Sequence, residues 1–362
     1  MFCMSLCKLQ QFARSFFTNG LVLMRSVITV PRSSWLLGIS VLLLFSLAAC
    51  SSSESTTSNS ATDSEPAPAP IERPAWNQGN DTYLIRLAPE RGATYTTELT
   101  QSTTNNMMVQ GNAFDTEQEQ TVTQTLHVAD YTEDGITTLE TTTDRMQVDF
   151  SAPGGQGQSY DSADSTATGP IASALAPMID KTLRLELNQG GAFVGNRDSL
   201  TAQVDSLMGE NGPDSDMLID PILNQFRFYP SEPVAVGDSW SKEVDMNVGV
   251  PLTVDATYTL DDVTDGTATV SVAVDINTNG APLELGQLEA EAFLSGTQSG
   301  TMTIDLESGL TQSSEMSASV SGFAEFTPPG QNQMQEIDMD INTSTSFTST
   351  RASEATTNGD AE

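Results

Sequence analysis

One histidine, three cysteines and 48 Asp and Glu are the groups in this 362-residue chain that could move protons, attack carbonyls or hold a metal. The histidine, His127, alternates with Thr121, Thr123 and Thr125 on the polar side of a strand-like segment, where a solvated side chain belongs. Cysteines stand only at Cys3, Cys7 and Cys50, so a familiar Cys/His zinc site or a Cys–His nucleophile cannot be built in the body. A Ser-His-Asp site would have to use His127, and no Gly-x-Ser-x-Gly elbow is present. Asp338, Asp340 and Asn342 imitate the opening of a calcium loop. The glycine expected next is missing, and Ser349 stands where the closing Glu should be, so they read as a wet strand face. Asp261, Asp262 and Asp265 crowd a turn that needs no ion. Carboxylate pairs for glycoside hydrolysis lack a Trp and Tyr cluster to stack on sugar, with only Trp76 and Trp240 after residue 50. The run Gly154-Gly155-Gln156-Gly157 lacks the Lys-Ser/Thr ending of a phosphate loop and reads as a linker. These patterns point to a protein that is not an enzyme and uses no metal or cofactor.

Cys50 has a different chemistry. It ends the apolar run Leu36–Cys50, LLGISVLLLFSLAAC, with Arg25 and Arg32 upstream and a polar segment downstream. Basic, apolar and small-residue regions in that order describe a secretory signal. The run is shorter than the ~20 residues a spanning helix needs. With Leu47-Ala48-Ala49 before the cysteine it resembles the lipobox of bacterial lipoproteins. That resemblance implies lipidation at Cys50, removal of residues 1–49 and attachment to a membrane through the lipid. Met24-Arg25 would open a signal of normal length and is an alternative start. A single acyl chain holds a membrane only marginally, so anchoring calls for more than one. By the same resemblance, Ser51 after Cys50 implies delivery to the outer membrane, facing the periplasm, if the host has two membranes. In a host with one, the anchor sits in the outer leaflet of the cell membrane.

From residue 50 onward, ten Lys and Arg face 48 Asp and Glu, a net −38. Such a surface repels nucleic acid and anionic lipid headgroups. No cysteine pair is left for a disulfide, so stability must come from core packing and strand pairing. Residues 50–75 are rich in Ser, Thr, Ala and Pro and are expected to form a disordered tether. Residues 351–362 are expected to form a disordered tail.

Between these ends the pattern is β. Val244, Met246, Val248, Val250, Leu252, Val254, Ala256, Tyr258 and Leu260 are all even-numbered, and Trp240 joins the same face. That run is too long for one ordinary strand, so Gly249 and Pro251 are expected to break or bend it. Ala268, Val270, Val272, Val274 and Ile276 repeat the alternation after an Asp265-Gly266 hairpin turn. Met302 to Leu306, Met316 to Val320 and Ile337 to Ile341 continue it, the last after a Pro328-Pro329-Gly330 break. Tyr83–Leu87, Thr94–Thr104, Thr121–Tyr131 and Ile136–Phe150 read as strands, and Thr182–Val194 as a hairpin. Pro153–Gly169 reads as a mobile loop. Helical spacing occurs in Pro170–Lys181, in Ser199–Met208 with Ser199 as the cap, and in Met217–Phe226, interrupted by Pro221. The expected fold is mainly β: antiparallel curved sheets forming one or two half-barrel-like lobes, with a few short helices in the middle of the chain. Residues 76–350 form this body; two lobes would be 76–198 and 227–350. One-sided sheets need covers, and the helices are the available lids.

The segment Pro233-Val234-Ala235-Val236-Gly237-Asp238-Ser239-Trp240, with Thr301–Gly309 (TMTIDLESG), resembles an uncharacterised family of exported β-rich bacterial proteins, which offers no activity to carry over. The functional expectation is a lipid-anchored cell-envelope protein that binds an apolar ligand between sheet and helices. Eleven Met after residue 50 suit an adaptable pocket. The alternative is a structural or adaptor lipoprotein that recruits an envelope protein or cations through its acidic surface.

Overall fold

The computed structural model describes residues 72–352 except 110, 154–155, 209–214, 248–249, 286–287 and 328–332. The signal segment, Cys50, most of the tether, the tail from 353, Gly249 and Pro328-Pro329-Gly330 lie outside the described residues.

The alternating stretches become long strands of one sheet. In chain order the strands are β1 (Asn77–Gly79), β2 (Thr82–Tyr83), β3 (Thr94–Val109), β4 (Asn112–Tyr131), β5 (Thr137–Ala152), β6 (Gln156–Asp161), β7 (Thr182–Leu187), β8 (Val234–Ala235), β9 (Ser239–Asn247), β10 (Pro251–Thr264), β11 (Thr267–Asn277), β12 (Ala281–Leu285), β13 (Leu288–Asp305), β14 (Thr311–Phe326) and β15 (Gln335–Arg351). The helices are α1 (Pro170–Leu175), followed by a 3₁₀ turn at Ala176–Met178, α2 (Arg197–Met208) and α3 (Asp216–Asn224). Twelve strands form an antiparallel sheet in the order β6-β5-β4-β3-β15-β14-β13-β11-β10-β9, with β7 beside β6 along β5 and β12 beside β11 along β13. β1, β2 and β8 form a separate small sheet. The fold is therefore mainly β and antiparallel, with short helices. The two halves of the chain share the large sheet, because β3 pairs with β15 from Tyr95 opposite Arg351 to Val109 opposite Ile337.

The sheet curls without closing. Its flanks face each other: Leu139 of β5 and Leu183, Leu185 and Leu187 of β7 share one core with Leu260 of β10, Ala268 and Val270 of β11 and Ile304 of β13. A sheet ten strands wide encloses more space than its own side chains fill. At one end the chain fills it. The extended segment 84–89 crosses the interior, with Ile85 and Leu87 fully buried and backbone bonds from Leu87 N–H to Gln189 O (2.9 Å) and from Ala88 N–H to Ser308 O (2.8 Å). This corrects the expected strand Tyr83–Leu87: only Thr82–Tyr83 pairs as strand, and the rest plugs the core. A Cβ at Gly309 would lie 1.8 Å from Arg86 O, so the β13–β14 turn can meet the plug only as glycine. Tyr229, 1% exposed, donates its hydroxyl to Gly309 O at 2.8 Å and ties a second inserted segment to the same turn.

The helices stand between the sheet's free edges. α2 packs on β7, α3 packs on β9, and the two helices pack on each other. Arg197 and Asp220 join them by an ion pair at 2.9 Å. α2 starts earlier than its sequence suggests, because Asn196 Oδ1 accepts from Ser199 N–H at 3.1 Å; Asn196 is the cap, not Ser199. α3 runs through Pro221, held by the buried Leu218, Ile219 and Ile222. Within the expected loop Pro153–Gly169, residues 156–161 extend the sheet as β6 instead, pairing with the outer part of β5. A polar, Gly-containing segment can serve as an edge strand because the ladder asks only for backbone groups.

Candidate ligand-binding site

Away from the plug, the same strands enclose a differently furnished interior. β9 and β10 form a hairpin, with Met246 opposite Leu252, Val244 opposite Val254 and Trp240 opposite Tyr258. The expected single run is two strands, β9 ending at Asn247 and β10 starting at Pro251. Trp240 is the expected core anchor: its indole N–H donates to Phe228 O at 2.6 Å, and its ring stacks on Tyr258 with centroids 5.7 Å apart. Farther along the hairpin, at the rim of the sheet, an open pocket of about 430 Å³ is lined by Asp220 of α3, by Met246 and Leu252 on the inner face of β9 and β10, and by Asp245, Pro251 and Thr253 on their outer face. Thr278, Asn279 and Ala281 complete its lining. The size suits a small ligand or part of a larger one. Its floor is apolar, with Met246 and Leu252 buried. Its carboxylates are engaged: Asp220 holds Arg197, and Asp245 accepts from Thr253 Oγ1 at 2.9 Å.

The inner face continues from this cavity toward the plug. Val244, Val254, Tyr258, Ile276, Met302 and Met316 stay half-buried around Ala256, Val272 and Val274. Burial pushes the Tyr258 phenol up to about 12. On the other flank the interior wall is polar. Thr97, Gln101, Thr103 and Asn105 of β3 and Gln120 of β4 are all buried, with Gln101 directly opposite Gln120. Asn105 Oδ1 and Gln120 Nε2 are buried there without a protein partner among the described residues, and Thr137 Oγ1 is a third such atom, opposite Leu187 at the plugged end. This polar wall escapes sequence reading, because Thr, Gln and Asn alternate with other polar residues and mark no face.

Charge divides cleanly between the faces. Among the described residues, the charged side chains on the inner face of the large sheet are Lys242 of β9 and Arg351 at the end of β15. Arg351 pairs with Glu90 at 2.6 Å. Lys242 lies between Trp240 and Val244, and its even number was the available signal. The acids face out: Asp338 and Asp340 are exposed on β15, where Asn342 donates its amide to Asp340, and Asp261, Asp262 and Asp265 surround the β10–β11 turn. His127 lies on the outer face beside Thr94, with Oγ1 and Nδ1 3.1 Å apart. Among the described residues no group of three or more His, Cys, Asp or Glu is arranged to hold a metal ion. No described helix is long and apolar enough to cross a membrane. Cys50 lies outside the described residues. Of the methionines, Met107, Met246, Met302, Met316 and Met339 line the interior, whereas Met108 and Met334 are exposed.

Several solved structures show a distant likeness. OccK7 (OpdD) of Pseudomonas aeruginosa is 8% identical, with 72% of this chain and 100% of that chain covered and a TM-score of 0.24. DynF of Micromonospora chersina is 10% identical over 75% and 92%, with a TM-score of 0.16. The NalP translocator domain of Neisseria meningitidis is 9% identical over 72% and 90%, with a TM-score of 0.18. Scores this low carry no argument about this chain. No curated protein matches it. Residues 211–311, which run from before α3 through β13 and include every residue lining the cavity, match the model of a family of unknown function, DUF6263.

Proposed function

We propose that this chain is a lipid-anchored protein of the cell envelope that binds an apolar ligand between α3 and the inner face of β9 and β10, and that it is not an enzyme. The observation that carries the reading is the cavity of about 430 Å³ with an apolar floor at that place, continued by half-buried Val, Ile and Met side chains. The anchor rests on the lipobox-like Leu47-Ala48-Ala49-Cys50. A charged, outward-facing surface keeps the body in water while the interior takes the ligand.

The test uses the exported chain carrying Cys50→Ser, purified without detergent. Native mass spectrometry and solvent extraction are expected to find a co-purifying apolar molecule. Ala281→Trp, which fills the cavity, is expected to lose it while the circular dichroism spectrum stays β. A ligand-free protein that also fails to take up an apolar fluorescent probe would refute the reading.

The second reading, an adaptor that recruits a protein or cations, draws support from the exposed acids of β15 and from Met108, Phe293 and Phe323 on the outer face. Under that reading, crosslinking in cells finds one neighbour, and its capture weakens steeply as salt is raised.

A further inference from the structure

Six of the ten described basic residues, Arg73, Arg91, Arg145, Arg184, Arg197 and Arg351, form ion pairs with described carboxylates. In a body this acidic, pairing is the expected state of a cation. Arg86, Lys181, Arg227 and Lys242 have no carboxylate at ion-pair distance among the described residues; Lys181 precedes β7, and the other three stand together. Arg86, in the plug, donates to the carbonyls of Pro230 and Ser231, the latter at 2.8 Å. Arg227, just past α3, donates to Asn224 Oδ1 at 3.3 Å. Lys242 faces them from β9. Burial first, then repulsion from Arg227 and Arg86, holds its ammonium below the usual lysine range. Three like charges gathered at a half-buried place weaken the fold unless something of opposite sign joins them.

The surroundings say what that something carries. Lys242 shares its strand face with Val244 and Met246, so the apolar strip leads from the ammonium to the floor of the cavity, about 13 Å along the strand. At that far end Arg197 is already paired with Asp220, and Asp245 adds a negative charge, so no cation there is free for an anion among the described residues. Charge therefore orients a ligand with its anion at Lys242 and its hydrocarbon toward Met246.

We propose that the ligand is an anionic amphiphile, a carboxylate or phosphate at the end of a hydrocarbon chain, whose anionic group is held by Lys242 with Arg86 and Arg227 and whose tail lies along the β9–β10 inner face. This rests on the apolar-ligand reading above and names its chemistry.

The experiment measures binding of three probes to the delipidated chain carrying Cys50→Ser: a long-chain fatty acid, its methyl ester and a lysophospholipid with a phosphate head. The acid or the lysophospholipid is expected to bind about tenfold or more tighter than the ester, as a charge-assisted contact requires. The tighter of the two identifies the head group. K242M is expected to bring the charged probe down to the ester's affinity, and K242R to restore the preference. R227Q, at a more exposed position, is expected to reduce the preference in part. If the ester binds as tightly as the charged probes, or K242M keeps the preference while remaining folded, the anion site is refuted and the apolar pocket stands. If none of the three binds, both readings fall.

Discussion

The two ends of the same strands solve the same problem differently. Near the plug, Leu260 of β10, Ile304 of β13 and Val128 of β4 are completely buried. A few residues farther along, with unchanged alternation, Tyr258 and Met302 are half-exposed, and Gln120 is buried with an unpaired amide nitrogen. The strands are not what differs. One end receives extra chain, from segment 84–89, the segment around Tyr229 and the buried faces of α2 and α3. Elsewhere the interior receives smaller pieces: α1 and the turn after it pack on Val122, Met146 and Val148 of β4 and β5. A sheet this wide cannot fill itself, so between the inserted pieces half-buried positions remain.

Core truncations test this difference most strongly. Leu260→Ala is expected to cost about 2–5 kcal/mol, because the dense end cannot collapse onto the gap. Met302→Ala, on a half-exposed position, is expected to cost about 1 kcal/mol. Urea unfolding of the two variants measures the contrast, and equal costs would erase the distinction between the ends. On the polar wall, Gln120→Leu is expected to be neutral or to stabilise by about 1–2 kcal/mol, because it removes an unpaired buried donor. A clear loss in the same assay would mean that the amide is doing structural service.

The smallest effect is one of pH. Tyr258 titrates at about 12 in the fold and about 10 when unfolded. The fold therefore keeps the proton that the unfolded chain loses. The stability this preserves is intact below pH 10 and lost as pH rises toward 12. Wild type is expected to lose about 1 kcal/mol more than Tyr258→Phe between pH 9 and 11. Parallel curves for the two would place the phenol in water.

Much of the architecture is legible in advance because period-two alternation is local. Ala268 to Ile276 and the even residues from Trp240 to Leu260 announce both strand and inner face, and Asp265-Gly266 announces its turn. Strand lengths are less legible. β4 reaches back to Asn112 through DTEQEQ, where no apolar side chain marks a face, because its partners β3 and β5 hold the ladder open. The helix α3 forms across Pro221 because Leu218, Ile219 and Ile222 find a core, which local propensity does not foresee.

What the residues alone determine is the antiparallel sheet, its apolar and wet faces and the acidic exterior, since each depends on neighbours in sequence or on composition. The curl, the plug and the cavity under α3 are decided only in three dimensions. So is the meeting of Arg86, Arg227 and Lys242, which lie up to 156 positions apart in the chain. No periodicity records which distant segments will share a space, because that depends on how wide the closed-over sheet is and on what chain is left to fill it.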